Sequence, residues 1–334
     1  MTAAAARSPR PATDRSAGTG GGSVAQRLGA RALMLGVAVL MRLPDRVVYR
    51  VAHALGVALS YVLRRRRALV RDNLGRVCRW LDATGAATPR VQAAARDQRR
   101  LDALVRDAFG HWVTTYAESA LAPRYDAAAL RSRLAVETPD VAEAALAPVP
   151  VGGLGRLFVS LHFGSVELAG LYAARLGHIP MSVTMERVSN PAMRRYFERV
   201  RGGLGVTVVP EEDAAATLVD ALRHGRGVGL VADRVLSGHG SRVELFGAPA
   251  RLPGGAAVLA VESGAPFHVL AVRRSGPGSW VGRLETVDVP REGSRRERVR
   301  ATLDAQARCF ERFVAAAPEQ WWTVFFPIWE ADRS

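Results

Sequence analysis

The chain has 334 residues, 49% of them hydrophobic, enough for one large domain or a domain with a helical extension. Its formal charge is +15, and all 46 basic residues are arginine, a uniformity that with the Ala and Gly richness reads in part as a compositional bias. The charge favours anionic partners without choosing among nucleic acid, acidic headgroups and phosphorylated substrates. Cys78 and Cys309 stand far apart with no CxxC or Cys/His cluster, which excludes a disulfide framework and a zinc site and fits a reducing, cytosol-facing location.

Residues 1–22 carry almost no bulky apolar side chain and read as a disordered tail without the apolar core of a signal peptide. An apolar segment follows at 32–41, closed by Arg42 and Pro44, and a second at 51–63 ends in Arg64-Arg65-Arg66-Arg67. Neither reaches the roughly 20 residues of a spanning helix, so two readings stay open: core helices, or helices lying in a membrane interface with arginines at the headgroups. Between 68 and 121 the pattern is helical and arginine-rich, and Leu101, Leu104, Val105, Ala108, Phe109, Trp112, Val113 and Tyr116 form a packing stripe. Pro123, Pro148 and Pro150 mark the passage to a different texture.

After Gly155 short apolar runs alternate with helical stretches. Strands are expected at 157–161, 181–185, 206–209, 227–232, 242–246, 267–273 and 280–287. Helices are expected near 167–176, 191–201, 213–224, 253–263 and 295–316, before an aromatic tail with Trp321, Trp322, Phe325, Phe326 and Trp329. The expected fold is α/β, a central mixed β-sheet flanked by helices, with an amino-terminal amphipathic or apolar helical region. The expected organisation is a tail at 1–22, a helical membrane-association and packing region at 23–150, and a catalytic core at 151–330 integrated with it.

His162-Phe163-Gly164-Ser165-Val166-Glu167 is the most informative segment. A histidine titrates near neutrality and can take and return a proton, and a nearby carboxylate stabilises the imidazolium. On one helix the two side chains would point about 140° apart. The segment instead reads as a strand ending at His162, a turn at Gly164, and a helix that Ser165 caps and Glu167 enters in its first turn. Spacing alone leaves open a surface histidine and a helix-start glutamate that never meet. Glu186-Arg187 and Asp233-Arg234 stand at two further strand ends, where an α/β sheet forms its ligand crevice, although each pair also fits a local ion pair. No serine nucleophile elbow, P-loop or full dinucleotide fingerprint occurs, and no second histidine lies close enough to His162 to suggest a metal.

These residues, with Asn190-Pro191, Val243-Glu244-Leu245-Phe246-Gly247, Arg251-Leu252-Pro253-Gly254-Gly255-Ala256 and the stretch from Arg64 to Asn73-Leu74, resemble the bacterial lipid A late acyltransferase family. The nearest likeness is to the actinobacterial phosphatidylinositol mannoside acyltransferases, from about Arg31 to Trp329. The resemblance implies an acyltransferase-type αβα sandwich, monotopic or peripheral on the cytoplasmic face of the plasma membrane. It implies transfer of a fatty acyl group from acyl-CoA to a glycolipid or phospholipid hydroxyl at an anionic membrane surface, with no metal, no redox cofactor and no nucleic acid. Carried over residue by residue, His162 is the general base and Glu167 its partner, Glu186 and Asp233 contact the sugar headgroup, Arg234, Arg251 and nearby arginines meet phosphates of CoA or the lipid headgroup, and Arg187, Arg234 or a backbone N–H near the helix start meets the oxyanion. The likeness departs at Gly164-Ser165-Val166, where close relatives commonly carry Gly-Asn-Trp, which points to a different acceptor. A non-catalytic basic protein binding membrane or nucleic acid, and an acyltransferase for a specialised-metabolite acceptor, are the alternative readings.

Overall fold

Pro44 precedes the first helix of the computed structural model, which describes residues 42–177, 179–185, 206–210, 214–235 and 240–330. The expected tail, the apolar segment at 32–41, the helix at 191–201 and Glu186-Arg187 lie outside the described residues.

Helix α1 (Asp45–Val62) buries Val48, Tyr49, Ala52, Gly56 and Ser60, a helical stripe that packs on α4. The chain bends by 103° at Leu63 into α2 (Arg64–Ala83), and no single described helix is long and apolar enough to cross a membrane. Next come α3 (Pro89–Arg96), whose Thr88 cap accepts from the Val91 amide, and α4 (Gln98–Leu121), whose Asp97 cap accepts from the Arg99 and Arg100 amides. The run continues with α5 (Ala127–Arg133), β1 (Leu134–Val136), α6 (Pro139–Leu146), β2 (Arg156–Gly164), α7 (Val166–Leu176), β3 (Met181–Met185) and β4 (Val206–Pro210). It ends with α8 (Ala214–Arg223), β5 (Gly227–Val231), β6 (Ser241–Leu245), β7 (Ala248–Leu252), α9 (Gly255–Ser263), β8 (Phe267–Gly276), β9 (Ser279–Val287) and α10 (Arg295–Ala316). Ser294 and Glu297 close a capping box at the start of α10, and two short 3-10 turns, Pro318–Gln320 and Trp322–Phe325, carry the aromatic tail.

Seven strands form one sheet in the order β1-β9-β8-β2-β5-β3-β4. β8, β2, β5, β3 and β4 run parallel, while β9 is antiparallel to β8 and leads β1 alongside it, so the sheet is mixed as expected. β6 and β7 leave the sheet as a separate antiparallel hairpin. Two strands escape the sequence reading for physical reasons. β1 has only three residues, too few to show a period, and β7 carries Pro249, which a strand of a two-stranded hairpin tolerates. Within β2, Leu157, Val159 and Leu161 enter the core that includes Phe310 and Phe313 of α10, while Phe158 and Ser160 of the opposite parity line a cavity on the other face. Residues from Leu43 onward form one compact unit, so the helical region and the sheet share that core.

His268, on β8, stacks on Phe158 and meets the Thr286 hydroxyl at 3.1 Å. Burial, with the Arg156 charge adding to it, pushes its pKa down to about 4. An unfolded histidine takes its proton near pH 6.5, so stability should fall as pH drops from about 6.5 to about 4 and level off below, with about 3 kcal/mol at stake. Denaturant unfolding across that range should show this slope, and His268→Gln should flatten it; an unchanged slope in the variant would remove His268 as the cause.

Candidate active site

The register of two parallel strands brings the site together. Ser160 of β2 pairs with Val231 of β5, and the Ala232 amide donates to the Ser160 carbonyl at 3.0 Å, so His162 and Asp233 come abreast just beyond. His162 Nδ1 lies 2.7 Å from Asp233 Oδ1. The Asp233 side chain has 0% exposure, and its Oδ2 accepts from Trp321 Nε1 at 2.9 Å and Thr323 Oγ1 at 2.6 Å. Burial alone would raise the carboxyl pKa, but the His162 charge and hydrogen bond, with those from Thr323 and Trp321, outweigh it and hold Asp233 below the usual carboxylate range. The imidazole is 14% exposed and meets the edge or face of Trp322 at 4.7 Å in a T-shaped contact.

The turn after His162 is shaped by a bulge. Ser160 pairs with Leu270 and Gly164 with Val272, so β2 passes four residues while β8 passes two. Gly164 has φ +53°, and a Cβ there would meet the Val272 carbonyl oxygen at 2.0 Å, so no other residue fits. The Ser165 amide donates to that same carbonyl at 2.8 Å. Ser165 sits at the N-cap of α7 as expected, yet its hydroxyl makes no capping bond and is buried without a partner. The Gly164 carbonyl accepts from Arg274 Nη2 at 2.9 Å. Arg274 is itself buried, pairs with Glu118 of α4 and bonds Thr115 Oγ1 at 2.8 Å, while Trp280 Nε1 donates to the other Glu118 oxygen at 2.7 Å. Gln320 brackets the Arg274 backbone, accepting from its amide at 2.7 Å and donating to its carbonyl at 2.9 Å.

The tail that delivers Trp321 and Thr323 is fastened from both sides. Trp321 bridges to Phe163 and Trp329 to Ala250. On α2, Asn73 Nδ2 donates to the Val324 carbonyl at 2.8 Å and the Phe326 carbonyl at 3.0 Å, and Arg66 donates to the Phe325 carbonyl at 2.6 Å.

Of the residues singled out from sequence, the structure brings His162 and Asp233 into contact. Asp233 was expected at the sugar headgroup; its carboxylate is instead fully buried and takes its hydrogen bonds from His162, Trp321 and Thr323, which makes it the imidazole's partner. Glu167 stands in the first turn of α7 and lines the cavity. Arg234 lies over the Phe326 ring at 4.3 Å. Arg251 was expected at a phosphate; in β7 it meets Glu330 at 3.2 Å and the Gly240 carbonyl at 3.0 Å, tying the hairpin to the tail. Glu186 and Arg187 lie outside the described residues. Trp321, Trp322 and Thr323 were read only as an aromatic tail; the signal passed over was two indoles and a hydroxyl in adjacent positions.

The cavity lies between α7 and the sheet and has a volume of about 160 Å³. Its lining runs from Leu134 and Leu284 near one edge of the sheet to Met181 and Val206 near the other, so it crosses the strands, and its wall is overwhelmingly apolar. Among the described residues no group of His, Cys, Asp and Glu is arranged to hold a metal ion.

A family model described as bacterial lipid A biosynthesis acyltransferase matches residues 23–329. The phosphatidylinositol mannoside acyltransferase of Mycolicibacterium smegmatis (strain ATCC 700084 / mc(2)155) is 28% identical over 237 residues, 70% of this chain and 74% of the relative. The phosphatidylinositol mannoside acyltransferase of Mycobacterium tuberculosis (strain CDC 1551 / Oshkosh) is 32% identical over 199 residues, 58% of this chain and 60% of the relative. Among solved structures, the 1-acyl-sn-glycerophosphate acyltransferase PlsC of Thermotoga maritima aligns with a TM-score of 0.35 at 13% identity, over 74% of this chain and 97% of that one, too loose a likeness to bear on the site.

Arg274→Met should leave the Glu118 carboxylate buried without its cation and cost about 3–5 kcal/mol in denaturant unfolding. Arg274→Met with Glu118→Gln should recover part of that loss; a single variant as stable as the parent would show that the pair does not brace the turn.

Proposed function

Because the chain belongs to the bacterial lipid A biosynthesis acyltransferase family, we propose that it moves a fatty acyl group from acyl-CoA to a hydroxyl of a glycolipid. Relatives named as phosphatidylinositol mannoside acyltransferases support that acceptor class. The observation that carries the mechanism is the 2.7 Å contact between His162 Nδ1 and a buried Asp233 carboxylate. With Nδ1 committed to Asp233, the imidazole exchanges protons through Nε2. The acceptor hydroxyl gives its proton to Nε2 as its oxygen attacks the thioester carbonyl. Collapse of the tetrahedral intermediate breaks the carbon–sulfur bond, and the imidazolium returns the proton to the departing sulfur. Asp233 holds the ring's orientation and stabilises its charged form without itself taking the proton.

Glu167 serves as the second carboxylate at this end of the cavity, and the apolar cavity takes the acyl chain. Arg234 remains assigned to a phosphate of donor or acceptor, Glu186 to the headgroup and Arg187 to the oxyanion or a phosphate, on resemblance alone. Attachment to anionic membrane is assigned to α1. Its outward face carries Val47, Val51, Leu55, Leu59 and Val62, with Leu55 at 57% and Val62 at 73% exposure, and it runs straight into Arg64-Arg65-Arg66-Arg67.

Purified protein in detergent should transfer palmitate from palmitoyl-CoA to a phosphatidylinositol mannoside, read by mass spectrometry of the lipid product. His162→Ala and Asp233→Asn should each lower kcat by about a hundredfold or more while retaining the folded circular-dichroism spectrum. Full activity in His162→Ala would sink the mechanism, and thiol release that needs no acceptor would replace transfer with hydrolysis. Leu55→Glu with Val62→Glu should reduce co-sedimentation with phosphatidylglycerol-containing vesicles; undiminished binding would take the attachment away from α1.

A further inference from the structure

Helix α7 reads Val-Glu-Leu-Ala-Gly-Leu-Tyr-Ala-Ala-Arg-Leu, and the fifth of these eleven residues is Gly170, inside the helix. Glycine is among the weakest residues in a helix interior, because it gives up the most backbone freedom there and contributes no side-chain contact. It persists where the backbone needs positive φ or where a neighbour crowds the Cβ. Neither holds at Gly170. It is absent from the positive-φ glycines, and a Cβ built on it meets no atom of the described residues within 4 Å. The other glycines of the same cavity differ: a Cβ on Gly229 of β5 would touch Val183 at 3.0 Å, and one on Gly282 of β9 would touch Leu134 at 3.2 Å. Those two are small because neighbouring side chains already fill the space. At Gly170 no atom of the described residues fills the space, and Gly170 itself lines the cavity.

The position of this gap matters. Glu167 stands three residues earlier in the first turn of α7, at the end of the helix that adjoins the β2 turn after His162, and Ala173 lines the same cavity three residues later. Gly170 is therefore about one helical turn, roughly 5 Å, in from the catalytic end. We infer that Gly170 selects acyl-chain length, its missing side chain leaving room for the methylenes that distinguish a long fatty acyl group from a short one. This rests on the reading of the cavity as the acyl-chain site of a transferase.

Each methylene displaced from an apolar site lowers binding about fourfold, from about 0.8 kcal/mol per buried CH2. Gly170→Leu introduces four carbons into the gap, which a butyryl chain is too short to occupy, so the kcat/KM ratio of palmitoyl-CoA to butyryl-CoA should fall by about two orders of magnitude. Gly170→Ala should move the ratio the same way by a few-fold, and keeps the test decisive if the leucine variant does not fold. Binding of non-hydrolysable palmitoyl and butyryl thioether analogues of CoA, by calorimetry, should show the same loss for the long chain alone. A ratio that stays at the parent value, whether or not overall rates drop, overturns the inference and leaves the acyl-transfer reading standing. If the parent protein transfers no acyl group to any glycolipid yet Gly170→Leu still loses the palmitoyl analogue selectively, the transfer reading fails and the chain site survives.

Discussion

A carboxylate with no exposed surface must be met by donors, and meeting Asp233 organises the rest of this site. Removing an ionised group from water costs several kcal/mol unless its lone pairs are satisfied. Asp233 receives the His162 ring on one oxygen and an indole and a hydroxyl on the other. Three separate pieces of chain therefore have to arrive together: the end of β2, the residue just past β5, and the tail after α10. The same arrangement fixes which ring nitrogen of His162 is occupied, so the electrostatic requirement of folding and the proton-transfer requirement of catalysis are one constraint.

The helical half of the chain enters through that constraint. α2 holds the tail carbonyls with Asn73 and Arg66, and α4 holds the glycine turn through Glu118 and Arg274. Neither Asn73 nor Glu118 is shown touching His162, yet each fixes a segment that positions it. A buried Arg–Glu pair is weak evidence of stability in itself, since apolar residues often serve as well. Its place here is explained by the third partner, the Gly164 carbonyl, which an apolar pair would leave without a donor.

Legibility in the sequence followed the range of the interactions. The α/β alternation, the strand that carries His162, the helix entered by Glu167 and the long helix at 295–316 depend on neighbours in the chain, and local pattern carries them. Asp233 was visible as a polar residue at a strand end, but its partner was not. The His162–Asp233 pairing spans 71 positions and depends on β5 being inserted beside β2, a strand order that periodicity does not encode. Trp321 and Thr323 were hidden for the same reason, because an aromatic cluster near the end of a chain reads as packing until the strand it crosses is known. Arg251, expected at a phosphate, meets the carboxylate of Glu330, a partner 79 positions away that local pattern does not show.

The two faces of β2 show how one strand serves stability and chemistry at once. Its alternation sends Leu157, Val159 and Leu161 into the main core, where their burial anchors the sheet against α10, and leaves Phe158 and Ser160 to line the cavity under α7. A strand buried on both faces would normally be filled on both. Here one face is left partly unfilled, and α7 spans the gap with Ala169, Gly170 and Ala173, side chains too small to close it. Unfilled apolar space is a cost the native state carries without return unless something apolar occupies it. A fatty acyl chain has the chemistry to recover that loss on binding, which is why the proposed acyl site and this unfilled face of β2 coincide.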